Sequence, residues 1–167
     1  ADSVTYDFYK FHAEAGQRVS IEVFARRLGS PLDPVVRLLD ASGTRELAYS
    51  DDAPGIGVDS RLSHTFETAG DYLIEVRDIR YEGSGNHRYR LRIGDFPIST
   101  VPYPMGGKRG SEIEIALAGA DTAGLPPVKF RVPEQAVGDQ AWLGVRYPEG
   151  KSSALLPLLV SDLEDVL

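Results

Sequence analysis

Apolar and polar positions alternate with period two along much of the chain. Val19, Ile21 and Val23 alternate with Ser20 and Glu22, and Tyr72, Ile74 and Val76 with Glu75 and Arg77. Successive side chains on a strand point to opposite faces, so these runs predict strands with one buried face. Between His87 and Ile93 the same pattern predicts Tyr89, Leu91 and Ile93 inward and Arg88, Arg90 and Arg92 in water. A slip of one residue there would bury three guanidinium groups. Phe66 and Tyr72 join Tyr89 as expected core aromatics, and His64 shares a strand face with Leu62 and Phe66, as a hydrogen-bonded core or boundary histidine would.

Turn residues that tolerate positive φ separate the strands, in Asp40-Ala41-Ser42-Gly43, Ala69-Gly70-Asp71 and Gly83-Ser84-Gly85-Asn86. No window of a dozen residues keeps a 3.6-residue apolar period, and 17 Gly with 11 Pro would interrupt long helices. The chain is therefore expected to be all-β. Past Asp95-Phe96-Pro97-Ile98 comes a loop with Pro102, Pro104, Gly106, Gly107 and Gly110, and then the alternation restarts. Ile113, Ile115 and Leu117 form one run and Val128, Phe130 and Val132 another, with further strands expected near Trp142 to Val145 and Ala154 to Val160. Two tandem modules follow, residues 1–95 and 96–167. The closing Ser161-Asp162-Leu163-Glu164 fits a helix capping box, but too few residues follow for a helix to propagate, so a solvated linker is expected.

Charge narrows the partners. Lys and Arg number 18 against 25 Asp and Glu, a net charge of −7. Residues 1–95 hold 12 basic and 16 acidic side chains and residues 96–167 hold 6 and 9, so the modules carry −4 and −3. Phosphate backbones demand the opposite sign, which excludes nucleic acid as the expected partner. With no cysteine there is no disulfide, thiolate zinc site or cysteine nucleophile. The longest apolar run, Ala154–Val160, is far shorter than the roughly 20 residues of a membrane-spanning helix. No basic, apolar and small-residue succession opens the chain, so any signal peptide is expected outside it.

Candidate chemistry is sparse. His12, His64 and His87 lack ligand spacing, Ser84 lacks a nucleophile elbow, and Gly55-Ile56-Gly57 lacks the strand and helix that a phosphate loop needs. No pair of groups stands out as acid and base, so an enzyme is not expected and a hydrolase fragment is the least favoured reading. The acidic residues Asp51, Asp52 and Asp59 crowd one Gly/Pro-containing loop. Two readings stay open for them: hard oxygen ligands for Ca2+, or turn caps and a partner for Arg61.

Three segments carry a family resemblance: Asp7-Phe8-Tyr9-Lys10-Phe11 with Ala15-Gly16-Gln17, Ala69-Gly70-Asp71-Tyr72 with Ile74-Glu75-Val76, and Tyr81 to Asn86 before Tyr89-Arg90-Leu91. In order and spacing they resemble the bacterial pre-peptidase C-terminal domain over roughly residues 1–95. Leu28 to Pro34, Leu38-Leu39-Asp40, Ser50-Asp51-Asp52 and Asp59-Ser60-Arg61 look like the variant of planctomycete surface proteins. The resemblance implies a jelly-roll-like antiparallel β-sandwich attached to secreted peptidases and related to the collagen-binding modules of clostridial collagenases. By the same resemblance Asp2 and Asp7 are candidate metal ligands, although the acidic segment that usually precedes the first strand is absent. Ile98 to Gly119, with its Pro/Gly-rich turn at Pro104 to Gly110, is similar to the opening of immunoglobulin-like IPT/TIG domains, which implies a small immunoglobulin-like β-sandwich over residues 96–167.

The expected role is a non-catalytic accessory or spacer module of a larger secreted or cell-surface bacterial protein, partnered by other domains of the same polypeptide. The alternative is a binding module for an extracellular matrix protein or polysaccharide, with Tyr6, Tyr9, Tyr49, Tyr81 and Trp142 as candidate platforms. Aromatic exposure separates the two. A binding module shows several aromatics on one sheet face, whereas a spacer buries nearly all of them.

Overall fold

The computed structural model describes residues 5–119, 121–136, 138–147 and 152–163. Asp2 and Glu164, and with them one candidate ligand and the capping-box glutamate, lie outside the described residues. The chain divides into two compact units, Ala1–Asp95 and Phe96–Leu167.

The first unit is a two-sheet antiparallel β-sandwich. One sheet has the order β1-β6-β3-β4, from β1 (Tyr6–Ala13), β6 (Gly70–Asp78), β3 (Pro34–Asp40) and β4 (Glu46–Ser50). The other has the order β5-β2-β7, from β5 (Arg61–Thr65), β2 (Arg18–Phe24) and β7 (Arg90–Gly94). β1 runs along β6 in unbroken register, from Tyr6 opposite Arg77 to Ala13 opposite Gly70. β3 pairs with β4 through a shift between Leu38 and Leu39.

Alternation turns the apolar side chains inward as the sequence predicts, but β2 is buried on both faces, so Ser20 and Glu22, expected on a solvated face, are buried as well. Val19, Ile21 and Val23 of β2, Val36 and Leu38 of β3 and Tyr72, Ile74 and Val76 of β6 close one apolar core, together with Leu62 and Phe66. The Phe66 ring lies 4.2 Å from Tyr72, 4.9 Å from His64 and 5.8 Å from Phe11, centroid to centroid. The Tyr72 hydroxyl is satisfied by donating to the Thr68 carbonyl at 2.7 Å, so the ring is buried without an orphaned polar tip.

At β7 the expectation needs correction. Leu91 and Tyr89 pack against the core, but Ile93 stays 40% exposed because β7 is an edge strand with no neighbour on its far side. Arg92, expected in water, instead reaches within 3.8 Å of the buried Glu22 carboxylate.

The second unit has two three-stranded sheets. β11 (Val128–Arg131), β10 (Glu112–Ala118) and β8 (Val101–Tyr103) form one, and β12 (Gln140–Leu143), β13 (Leu156–Ser161) and β9 (Gly106–Lys108) the other. Ile115, Val132, Leu143, Val145, Tyr147, Leu158 and Val160 make its core. β8 and β9 escape sequence reading because three residues are too few to show a period, and β9 pairs with β13 in parallel. A Cβ at Gly107 would lie 2.9 Å from Val132 Cγ2 and 3.0 Å from Ile113 Cδ1, so that glycine is there for close approach.

Phe66→Ala is expected to cost about 3–5 kcal/mol in a denaturant titration, because it empties the centre of the first core. Ile93→Ala at the exposed edge should cost less than about 1 kcal/mol. Equal losses at the two positions would contradict this packing.

Candidate functional site

The loop between β4 and β5 carries the acidic residues singled out above, and the structure separates them. Asp59 is fully buried. Its Oδ1 accepts the amides of Ala25 at 3.1 Å and Arg26 at 2.7 Å, and its Oδ2 accepts the Arg27 amide at 3.3 Å and Arg27 Nε at 2.5 Å. A carboxylate so saturated holds the 3-10 turn Arg26–Leu28 in place rather than offering oxygens to an ion. As a candidate calcium ligand it is therefore corrected. Its partner is Arg27, not the expected Arg61.

Asp33 takes its place. Carboxylate oxygens of Asp33, Asp51 and Asp52 lie within 4.8 Å of one another, the one such acidic or histidine group among the described residues. Asp33 comes from the segment immediately before β3, the strand that pairs with β4. Its backbone is clamped to Asp78, whose Oδ2 accepts the Asp33 amide at 3.0 Å, while the Asp33 carbonyl accepts the Ile79 amide at 2.8 Å. Asp33 Oδ1 is buried with no hydrogen-bond partner. Burial, and then the charges of Asp52, Asp51 and Asp78, push its carboxyl above the ordinary aspartate range. Three hard carboxylates fit Ca2+, with carbonyls and water left to complete a shell of six to eight oxygens. No sequence signal marks Asp33, since its sheet pairing brings it to a loop that starts 18 positions later.

Asp7 belongs to a different arrangement. Its Oδ2 accepts the Tyr89 hydroxyl at 2.5 Å, and Tyr89 and Tyr9 share a hydroxyl hydrogen bond of 2.7 Å. Burial, then the bonds to Asp7 and Tyr9, push the Tyr89 phenol far upward, so it stays a donor. Asp7 thus sits apart from the three-carboxylate group. It ties β1 to the segment entering β7.

The outer face of the four-stranded sheet is aromatic. By register, Phe8, Glu75, Arg37 and Tyr49 form one row across all four strands, and Tyr6, Arg77 and Val35 form the next. Tyr6 is 43% exposed, Phe8 54%, Tyr49 48% and Tyr81 45%. The Tyr6 and Phe8 rings lie 6.3 Å apart at 18°, and Tyr81 lies 6.0 Å from Tyr6. The Arg77 guanidinium stacks 4.4 Å from the Tyr81 ring centre. Tyr81 has φ of 60°, the left-handed region that side-chain-bearing residues seldom adopt. Beneath the rings, Glu75 is buried and paired with Arg37 at 3.1 Å, and Arg37 with Glu46 at 2.7 Å. Phe8 escaped the sequence reading, which put Tyr9 in the platform. Strand alternation turns Tyr9 to the opposite face of β1. Trp142, 45% exposed, belongs to the second unit.

The remaining candidates have local structural roles. Ser84 Oγ bonds His87 Nδ1 at 2.8 Å within one loop. Gly55 and Gly57 have positive φ of 82° and 68° around the buried Ile56, which makes the segment a turn.

Residues 5–78 match the family model of the bacterial pre-peptidase C-terminal domain. Over 71 residues the chain is 41% identical to a "Probable subtilase-type serine protease" of Deinococcus radiodurans, an alignment covering 42% of this chain and 9% of that protein. The match thus spans about a tenth of that relative's length. A crystal structure of the pre-peptidase C-terminal domain of collagenase from Bacillus anthracis aligns at 19% identity and a TM-score of 0.39, covering 53% of this chain and 76% of that one.

Asp59→Asn should destabilise the first unit by about 3 kcal/mol in urea titration, since it leaves Arg27 and its amides under-compensated in a buried site. Asp78 gives an acid-side test. Against the cost of burial, the amides of Asp33, Arg80 and Glu82 hold its carboxyl below the ordinary value. A depressed folded pKa contributes stability that is complete above the unfolded value of about 3.9 and is lost as pH falls through the folded one. Asp78→Asn should therefore be less stable than the parent at pH 7, with the difference shrinking towards pH 2.

Proposed function

Given that residues 5–78 carry a bacterial pre-peptidase C-terminal domain, we propose that this chain is a non-catalytic accessory module of a secreted or cell-surface bacterial protein, and that it binds an extracellular matrix protein or polysaccharide. The observation that carries the reading is the single sheet face on which Tyr6, Phe8, Tyr49 and Tyr81 are all exposed. A spacer would bury these rings. Here Tyr6 stacks on Phe8 and touches Tyr81, and the face is underlain by the buried Glu75 with its Arg37 partner, an arrangement suited to a flat apolar ligand surface. The immunoglobulin-like identity of the second unit belongs to the same proposal, supported by two small sheets around one core.

Calcium is the proposed cofactor, held by Asp33, Asp51 and Asp52 rather than by Asp59 or Asp7. Its work would be structural, neutralising three carboxylates that otherwise repel.

Two measurements test these readings. On a glycan and matrix-protein array the chain should show saturable binding, and Tyr6→Ala with Tyr81→Ala should weaken it at least about tenfold, the loss of aromatic anchors. Absence of any saturable ligand would return the chain to the spacer role, and hydrolysis of peptide, ester or glycoside substrates by the purified chain would defeat both. In millimolar calcium a site with a dissociation constant near ~0.1 mM adds about 1–2 kcal/mol, seen as a raised melting temperature that chelator reverses. Asp33→Asn should abolish that shift while raising the melting temperature in chelator, because it removes repulsion. An unchanged melting temperature in calcium would sink the metal reading.

A further inference from the structure

A pocket of about 580 Å³ opens between the segment that follows the 3-10 turn and the one that leads into β7. Leu28, Ser30, Pro31, Asn86, Arg88 and Arg90 contribute to its wall, and among the described residues no acidic one does. This is unusual within a unit whose side chains sum to −4. Several other arginines of the unit meet carboxylates: Arg18 with Asp95, Arg27 with Asp59 and Glu22, Arg37 with Glu75 and Glu46, Arg92 with Glu22. Among the described residues Arg88 and Arg90 have no carboxylate partner, and the hydrogen bond of Arg88 runs from Nε to the Gly85 carbonyl at 2.9 Å.

We propose that this pocket captures the carboxyl-terminal end of a peptide, with Arg88 and Arg90 receiving the terminal carboxylate. Planar guanidinium forks match a carboxylate, and their charge here is unspent. At the lip stand Leu28, 62% exposed, and Pro31, an apolar rest for the last side chain. The Asn86 side chain supplies an amide of the kind that pairs with a peptide main chain, the Ser30 hydroxyl braces the wall by donating to the Asn86 carbonyl at 3.4 Å and accepting the Leu32 amide at 3.2 Å, and the volume lies within the range of small-ligand sites. Two supports hold the walls. The Ser30 amide donates to the Ala25 carbonyl at 3.1 Å and the Gly29 amide to the Arg26 carbonyl at 2.9 Å, which fixes the loop on one side. The loop on the other side is closed by the His87 amide on the Ser84 carbonyl at 3.0 Å. None of the aromatic-face residues Tyr6, Phe8, Tyr49 and Tyr81 lines the pocket, so the two sites can fail independently.

The test is a titration of the isotopically labelled chain with acetyl-Ala-Ala-Leu bearing a free carboxylate, followed by amide NMR, against the same peptide as its carboxamide. The free acid should move the Ser30, Asn86 and Tyr89 amide signals saturably, and the carboxamide should bind at least tenfold more weakly. Arg90→Gln should abolish the acid's binding and Arg90→Lys should weaken it, with the rest of the spectrum unchanged to show an intact fold. Tyr6→Ala should leave it untouched. Equal binding of acid and carboxamide, retention of binding in Arg90→Gln with Arg88→Gln, or no response at all would overturn the proposal. Displacement of the peptide by equimolar glucuronate or inorganic phosphate would overturn the peptide assignment by showing a site for simple anions.

Discussion

A buried charge cluster, Asp59 with Arg27 and Glu22, is the interaction on which the first unit's loops depend. Arg27 bridges the two carboxylates, at 2.5 Å to Asp59 and 2.9 Å to Glu22, and its Nη2 also donates to the Val23 carbonyl at 3.0 Å. Its guanidinium stacks 4.3 Å from the Phe24 ring centre. Arg61 adds a second cation, 3.9 Å from Glu22, and donates to the Pro54 carbonyl at 3.1 Å. Desolvation here is expensive. Burial raises the Glu22 carboxyl above its ordinary value even though Arg27, Arg61 and Arg92 pull it down, and burial lowers the Arg61 guanidinium. Such a cluster adds little net stability compared with an apolar core, but losing one member leaves an uncompensated charge, so its contribution is geometric.

That geometry reaches both candidate ligand sites. Asp59 gathers the amides of Ala25, Arg26 and Arg27, which shapes the turn whose continuation through Gly29, Ser30 and Pro31 walls the anion pocket. The Asp59 carbonyl accepts the Ala53 amide at 3.1 Å, which folds the loop back on itself just after Asp51 and Asp52. The Ser60 hydroxyl, donating to the Pro34 carbonyl, then pins the same loop beside the start of β3, next to Asp33. The aspartate that resembled a metal ligand is thus the residue that positions the aspartates which can serve as one.

The aromatic face follows a second logic. Along β1 alternation sends Phe11 and Ala13 to the core and Tyr6 and Phe8 to the outside, so the same strand closes the sandwich and builds the platform. Tyr81 completes it through a left-handed backbone conformation costing about 1–2 kcal/mol, a price the Arg77 stack and the hydrogen bond from its amide to the Asp78 carbonyl help to offset. Rings fixed in this way lose little freedom on meeting a ligand.

By itself the sequence determined what is local and periodic. The all-β class, the inward faces of β2 and β6 and the core places of Phe66 and Tyr72 all follow from residue type and spacing, because strand alternation is set within a few neighbouring residues. The family resemblance rested on short ordered segments for the same reason. Tertiary structure alone decided which charges meet. Asp51, Asp52 and Asp59 are equivalent as letters on one loop, yet Asp59 turns inward to Arg27 and its place is taken by Asp33, brought by the pairing of β3 with β4. Asp7 likewise became a tyrosine partner because β1 lies near the entry to β7. Arg88, Arg90 and Arg92 read alike in the chain, and only the fold sends the third to Glu22 and leaves the first two facing a pocket without a carboxylate. Pairing between distant strands sets these distances, and electrostatic partnership depends on distance rather than on order along the chain.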